Sequence, residues 1–271
     1  MITRRKALLV TNSHMPGALG DSIAAIPALV PYVRRLNLHG FIDSVIWSCP
    51  AAKDLFSLPV VQFNQEDAEN LEIETMLKID TQEVVKKHWS GTRSLVQMYG
   101  DYATVDLKEP FAWSQPTIAK SEYLENRVKG KYALLAPFSH SDSGTNTKNW
   151  ESWKWHKLAE VLREQGIEPV VLGLRANKME PWENKGHTLM VSQPLPEIMW
   201  AMQQAQAVIT VDNGMGWLAQ ALQAPHVQIL SSNMPAAFAW DHGPLAKNLS
   251  SCRTVSVSKV WNAVKEIQGL L

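Results

Sequence analysis

Cysteine is nearly absent from the chain: Cys49 and Cys252 are the two thiols among 271 residues. That scarcity excludes a disulfide-rich secreted scaffold, a Cys-x-x-Cys redox motif and a thiol-built zinc cage, leaving room for one bridge at most. An excess of charge of one sign is also missing, since 26 basic residues balance 26 acidic ones. Balance of this kind argues against unselective attraction to nucleic acid. No apolar run approaches membrane-spanning length, and the basic start with its short apolar stretch falls short of a secretory leader. A cytoplasmic location is therefore the expectation. The eight histidines show neither His-x-His nor His-Glu-x-x-His spacing, so no structural metal is expected. What the chain has instead is 45% hydrophobic residues and eleven tryptophans, enough for a substantial core.

Periodicity divides the chain into two β/α halves. Lys6–Thr11 is an apolar strand that runs into a polar, glycine-bearing segment. A helix is predicted over Ser22–Leu36, with Ile23, Ile26, Leu29, Val30 and Val33 at spacings of three and four. Pro27 is expected near its first turn or at a bend. A strand at Ser44–Ser48 completes a β-α-β unit, and a short helix is read at Ala51–Phe56. Between Asn64 and Val105 the pattern weakens to a strand at Leu71–Glu74 and a helix around Thr81–His88. The proline-bearing stretch Leu107–Lys131 reads as the boundary between halves.

The second half alternates more cleanly. Strands are predicted at Tyr132–Ala136, Pro169–Leu172, Thr188–Val191, Ala207–Val211 and His226–Leu230, with a last one within Leu249–Ser258. Helices are predicted at Trp153–Gln165, closed by Gly166, then at Pro196–Gln204, Gly214–Leu222 and Val260–Leu271. The fold class expected is α/β, with two Rossmann-like halves and a cleft between them. The domains expected are 1–125, 126–257 and a terminal helix at 258–271. In such sheets ligands bind outside the carboxyl ends of the strands.

Three loops fall at those ends. The first is His14-Met15-Pro16-Gly17-Ala18-Leu19-Gly20-Asp21, in which Gly20 allows close backbone approach and Asp21 stands at a helix mouth, either capping the helix or acting as a base. The second, Ser139–Trp150, offers Thr147 and Lys148 to an anion, or is a solvated loop ahead of a tryptophan-rich helix. The third runs through Asp212, Asn213, Gly214, Met215 and Gly216. Its amides, at the start of a helix, suit a diphosphate, and Asp212 suits the orientation of loop amides or a sugar hydroxyl; an unliganded turn is the alternative. Glu180 and Glu183 follow a strand end and suit a ribose hydroxyl, or are ordinary surface acids. Trp150, Trp153 and Trp155 either line a site or fill a core. Neither Gly-x-Gly-x-x-Gly nor a P-loop occurs, and no Tyr-x-x-x-Lys accompanies them, which disfavours a nucleotide-sugar epimerase or dehydrogenase.

In their order, Gly-Ala-Leu-Gly-Asp-Ser-Ile-Ala-Ala-Ile-Pro-Ala-Leu from Gly17, Lys148-Asn149-Trp150, and Val211-Asp-Asn-Gly-Met-Gly-Trp-Leu-Ala-Gln-Ala-Leu222 resemble the ADP-heptose:lipopolysaccharide heptosyltransferase family. Trp217 departs from it, standing where members commonly carry a histidine. The resemblance implies a GT-B-like fold and an inverting glycosyltransferase, with Asp21 as base and Lys148 stabilising the leaving group. It further implies Gly20, Thr147, Asp212, Asn213, Gly214, Met215 and Gly216 as donor contacts, to which the position of Glu180 and Glu183 after a strand end adds two candidates. The implied donor is ADP-heptose or another nucleotide-diphosphate sugar, with no separate cofactor and no metal demanded. The implied partners are that donor, a hydroxyl-bearing acceptor, and a glycolipid or membrane periphery. Two other readings stand beside it. One is a glycosyltransferase that modifies nucleic acid, for which Arg34, Arg35, Lys86 and Lys87 are the basic residues. The other is a nucleotide-binding or assembly module without transfer activity.

Overall fold

The computed structural model describes residues 7–10, 19–38, 44–47, 55, 60–62, 81–88, 93–103, 107, 116–139, 148–173, 179–232 and 243–269. The chain forms two compact units, Met1–Thr117 and Ile118–Leu271. Among the described residues no helix is long and apolar enough to cross a membrane.

In the first unit, strands β1 (Ala7–Val10), β2 (Ser44–Trp47) and β3 (Val60–Gln62) pair in parallel in that order. The β-α-β start expected from the sequence is present, and β3 is an addition to it. Helix α1 (Leu19–Leu38) connects β1 to β2 and carries both Pro27 and Pro31 in its interior. Ile23 through Val30 are all buried, so packing holds a helix that two missing N–H donors would otherwise weaken. Helix α2 (Thr81–His88) matches expectation, whereas α3 (Leu95–Tyr102) had no counterpart in the sequence reading. Its signal was local: Ser94 and Gln97 form a capping box, Ser94 Oγ accepting from the Gln97 amide at 3.3 Å and Gln97 Oε1 from the Ser94 amide at 3.0 Å. The Leu71–Glu74 strand and the Ala51–Phe56 helix lie largely outside the described residues.

The second unit opens with helix α4 (Glu122–Arg127), which spans the division read from the sequence at residue 125. Its sheet is parallel throughout, in the order β6-β5-β4-β7-β8-β9. The strands are β4 (Tyr132–Ala136), β5 (Glu168–Gly173), β6 (Thr188–Val191), β7 (Ala207–Val211), β8 (His226–Ile229) and β9 (Ala246–Leu249). β4, β7 and β8 are buried at every position, as strands covered on both faces must be. The last strand lies earlier than expected, because the chain from Ser250 turns away to cap the terminal helix. Helices α5 (Ser152–Glu164), α6 (Glu180–Glu183), α7 (Leu195–Gln204), α8 (Gly214–Ala221) and α9 (Val257–Ile267) supply the layers. α5 ends on Gly166 at φ +72°, with the Ile167 amide returning to Leu162 O and the Gly166 amide to Arg163 O. Such a left-handed close strongly favours glycine. Val260, Ala263, Val264 and Ile267 of α9 join Trp150, Trp155, Leu158 and Leu162 in one core.

The order of strands reverses direction between β4 and β7. β5 and β6 extend to one side and β8 and β9 to the other, so the carboxyl ends of β4 and β7 frame the crevice where open α/β sheets bind ligands.

Three histidines are buried among the described residues of this unit. Arg163 can only donate, so its 3.0 Å contact makes His187 Nδ1 an acceptor. His187 Nε2 therefore donates to His156 Nδ1 at 3.4 Å. His226 donates from Nδ1 to Ala224 O at 3.3 Å. The His187–His156 chain needs neutral rings because a ring nitrogen accepts in each, whereas the His226 bond would survive protonation and burial alone keeps that ring neutral. Burial, then the Arg163 and His156 charges, pushes His187 down to about 4; burial pushes His226 down to about 4. Burial and Lys185 also lower His156. Unfolded rings take up protons from about pH 6.5 but folded His187 and His226 resist until about pH 4, so stability is lost as pH falls through that window. Urea unfolding of the full chain at pH 7 and pH 5 should show the loss, on the order of 1–2 kcal/mol for His226. His226→Leu should flatten the slope; an unchanged slope would mean that His226 is not its source.

Candidate functional site

Lys148 and Asp212 meet at the crevice between β4 and β7, their Nζ and Oδ2 3.0 Å apart. Asp212 directly follows β7 and its side chain is 4% exposed, while that of Lys148 is 35% exposed. A buried carboxylate needs a charged or hydrogen-bonding partner, and this one has an ammonium. The half-open ammonium carries three N–H donors, and its pairing with Asp212 is by charge, with no hydrogen bond to Oδ2 among the described contacts. Those donors can serve an anion arriving from solvent.

Asn213 holds the frame around that pair. Its Oδ1 accepts from the Met215 amide at 3.0 Å and the Gly216 amide at 3.2 Å, capping α8. Its Nδ2 donates to Ala136 O at 3.1 Å and Phe138 O at 2.9 Å, on the chain leaving β4. Two acceptor sites and two donors are the whole hydrogen-bonding capacity of the amide, and these four bonds also fix which atom is oxygen. Asn213, expected from the sequence as a donor contact, thus has its side chain engaged as a latch between two strand exits. The same bonds use the Met215 and Gly216 amides, expected to face a diphosphate. The Gly214 amide, at the first position of α8, lies outside that cap. Gly216 has a separate reason to be glycine: a Cβ there would come within 2.7 Å of Gln228 Nε2 and 2.9 Å of Thr210 Oγ1. Its role is close packing of α8 on β7 and β8, over the buried polar cluster Thr210, Gln220 and Gln228.

The backbone that carries Lys148 is pinned a few residues on. Trp150 is buried, donates from Nε1 to Val255 O at 2.9 Å, and meets Trp155 edge-on with centroids 5.0 Å apart. Lys154 pairs with Glu151 at 2.6 Å and donates to Arg253 O at 3.3 Å. Trp150 and Trp155 are therefore core, and Trp153 alone of the three is exposed.

The other expected residues are scattered. Gly20 and Asp21 fall in the first turn of α1; the Asp21 side chain is outside the described structure, as are His14 and Thr147. Glu180 and Glu183 flank Pro181-Trp182 in the single turn of α6, after β5. Glu183 is exposed, and among the described contacts it does not join Lys148 or Asp212; the Glu180 side chain lies outside the described structure. Trp217 is buried at 5% exposure. An indole has a donor but no basic nitrogen, so this position packs where a histidine would offer a charge or an acceptor. Arg35 lies over Tyr32 and donates to Ala103 O, which ties one of the four basic residues into the first unit. Among the described residues no three His, Cys, Asp or Glu side chains gather as a metal site.

Residues 63–266 match the model of glycosyltransferase family 9 (heptosyltransferase). Among solved structures, E. coli ADP-heptose lps heptosyltransferase II is 16% identical, with 97% of this chain covering 98% of that one at a TM-score of 0.67. A family 9 glycosyl transferase from Veillonella parvula is 12% identical, with coverages of 99% and 98% and a TM-score of 0.64. The dodecameric, iron-containing glycosyltransferase TibC of enterotoxigenic E. coli is 18% identical at a TM-score of 0.61. There 90% of this chain is covered, and it spans 62% of the TibC length. No curated protein matches by sequence. The α/β, GT-B-like class expected from the sequence is the fold of these structures.

The latch can be tested in two steps. Asn213→Asp keeps the cap but loses both donors to β4, and should cost about 1–3 kcal/mol in urea unfolding. Asn213→Ala removes the cap as well, and should cost about 1 kcal/mol more. Equal stability of Asn213→Asp and the parent chain would mean that the β4 bonds contribute nothing.

Proposed function

The chain belongs to glycosyltransferase family 9, and on that premise we propose that it transfers a sugar, heptose by family expectation, from a nucleotide-diphosphate donor to an acceptor hydroxyl with inversion. The observation that carries this reading is the Lys148–Asp212 pair, set at the sheet's reversal point beside the α8 N-terminus. A half-exposed ammonium next to helix amides is suited to a diphosphate, both before and after its bond to the sugar breaks.

In the proposed step, the acceptor oxygen attacks the anomeric carbon while its proton passes to the Asp21 carboxylate. The bond from the anomeric carbon to the phosphate oxygen breaks, and its electron pair leaves with the nucleoside diphosphate. Lys148 and the Gly214 amide stabilise the charge that develops there. One displacement inverts the centre. Asp212 acts by holding Lys148 in place, since its own charge would repel phosphate. Support for Asp21 comes from its motif, Gly-Ala-Leu-Gly-Asp before a helix. Thr147, Glu180 and Glu183 remain proposed donor contacts on the same ground, with Thr147 adjoining Lys148. ADP-heptose is the proposed donor, a glycolipid core precursor the proposed acceptor, and the cytoplasm the proposed location.

Calorimetry with ADP, UDP, GDP and CMP tests the nucleotide. ADP should bind selectively, and Lys148→Ala should weaken it by about tenfold or more, the loss of a charge-assisted contact. Asp21→Asn should leave ADP affinity intact while abolishing transfer from ADP-heptose. Transfer that survives Asp21→Asn would remove Asp21 as base. A folded protein that binds none of the four nucleotides would remove the transferase reading and favour a non-catalytic module.

A further inference from the structure

Trp153 is 61% exposed, while Trp150, Trp155, Trp182 and Trp217 are buried. It occupies the first turn of α5, five residues after Lys148. An indole left in water forgoes a large gain from burial, so an exposed one held in a fixed pose invites a ligand.

Trp153 is held in that way. The Lys154 ammonium lies over its ring, 5.7 Å from the centroid. Lys154 is itself buried, fixed by Glu151 at 2.6 Å and by Arg253 O at 3.3 Å. The Glu151 carboxyl is kept below the usual carboxylate range by hydrogen bonds from Lys154 and then from Trp153. One face of the indole is thus backed by an anchored cation.

We propose that the outward face of Trp153 is a stacking platform for a pyranose ring. Sugar rings present a face of C–H groups, weakly positive and close to an indole in size, that suits the negative face of an aromatic π-system. The exposed Glu151 carboxylate, two residues before Trp153, supplies acceptors for hydroxyl groups at the ring edge. Two sources can bring such a ring to the loop after β4, namely the sugar of the donor or a saccharide acceptor. This inference rests on the transferase reading above and adds the residue that recognises the sugar.

The test measures affinities of ADP, ADP-heptose and a deacylated lipopolysaccharide core oligosaccharide for the full chain, its Trp153→Ala variant and its Trp153→Phe variant. Trp153→Ala should leave ADP affinity unchanged and weaken a sugar-bearing probe by about five- to tenfold, with Trp153→Phe recovering most of the loss. A loss confined to ADP-heptose identifies the donor's sugar, and a loss for the oligosaccharide identifies the acceptor. In the unaltered chain, the indole N–H resonance of Trp153 should shift with the same probe and not with ADP, a readout that does not depend on the variant folding. The proposal is overturned if Trp153→Ala moves neither sugar-bearing affinity, if ADP weakens equally, or if the resonance ignores both sugars. If ADP fails to bind the unaltered chain, the transferase reading falls, while the oligosaccharide titration still decides whether Trp153 holds a sugar.

Discussion

Four hydrogen bonds from one side chain hold the candidate site together. Parallel strands give their ligand-binding ends no hairpin to join them, so the loops beyond β4 and β7 need a tie made by side chains. Asn213 supplies it, facing two carbonyls beyond β4 and two amides of α8 at once. Because its capacity is fully used, the amide has no rotational alternative that keeps the same bonds. The neighbouring Asp212 is set by the same backbone, and its carboxylate in turn sets Lys148. The asparagine side chain thus fixes the frame in which its neighbours stand.

The pairing of Lys148 with Asp212 decides how the site meets an anion. A lone lysine in a crevice would be neutralised by whatever counter-ion solvent offers. Here the counter-charge is built in and cannot leave. An incoming diphosphate therefore adds to a bound ion pair, keeping the ammonium oriented before and after it arrives. The cost is a second negative charge nearby, which favours contact by the Lys148 donors and the Gly214 amide over direct approach to Asp212.

Much of the second unit was legible because its strands are buried on both faces and so appear as unbroken apolar runs. Tyr132–Ala136, Thr188–Val191 and Ala207–Val211 agree with the structure to the residue. Gly166 marked a helix end because the left-handed backbone there strongly favours glycine. Helix Leu95–Tyr102 went unread although Ser94 and Gln97 announce it, since the helix is only about two turns long and a capping box is a faint signal without a long periodic run. The candidate site was legible in residue type and position along the chain, through Lys148 and Asp212, but not in partnership. No spacing rule says that residues 64 apart in sequence share an ion pair, or that Gly216 is glycine because Gln228 lies beneath it. The same limit applies to the tryptophans, three of which share one short stretch while burial separates Trp153 from the other two.

The tie between the stretch after Lys148 and the loop ahead of α9 bears on how the unit breathes. Trp150 and Lys154 are fastened to Val255 and Arg253, the residues that lead into the last helix. Fraying of α9 would therefore withdraw the acceptors from both side chains and loosen the start of α5 in the same event. The two regions, about a hundred residues apart along the chain, behave as one cooperative unit of local opening. Amide exchange in both should follow a single protection free energy, set by how firmly the final helix is docked.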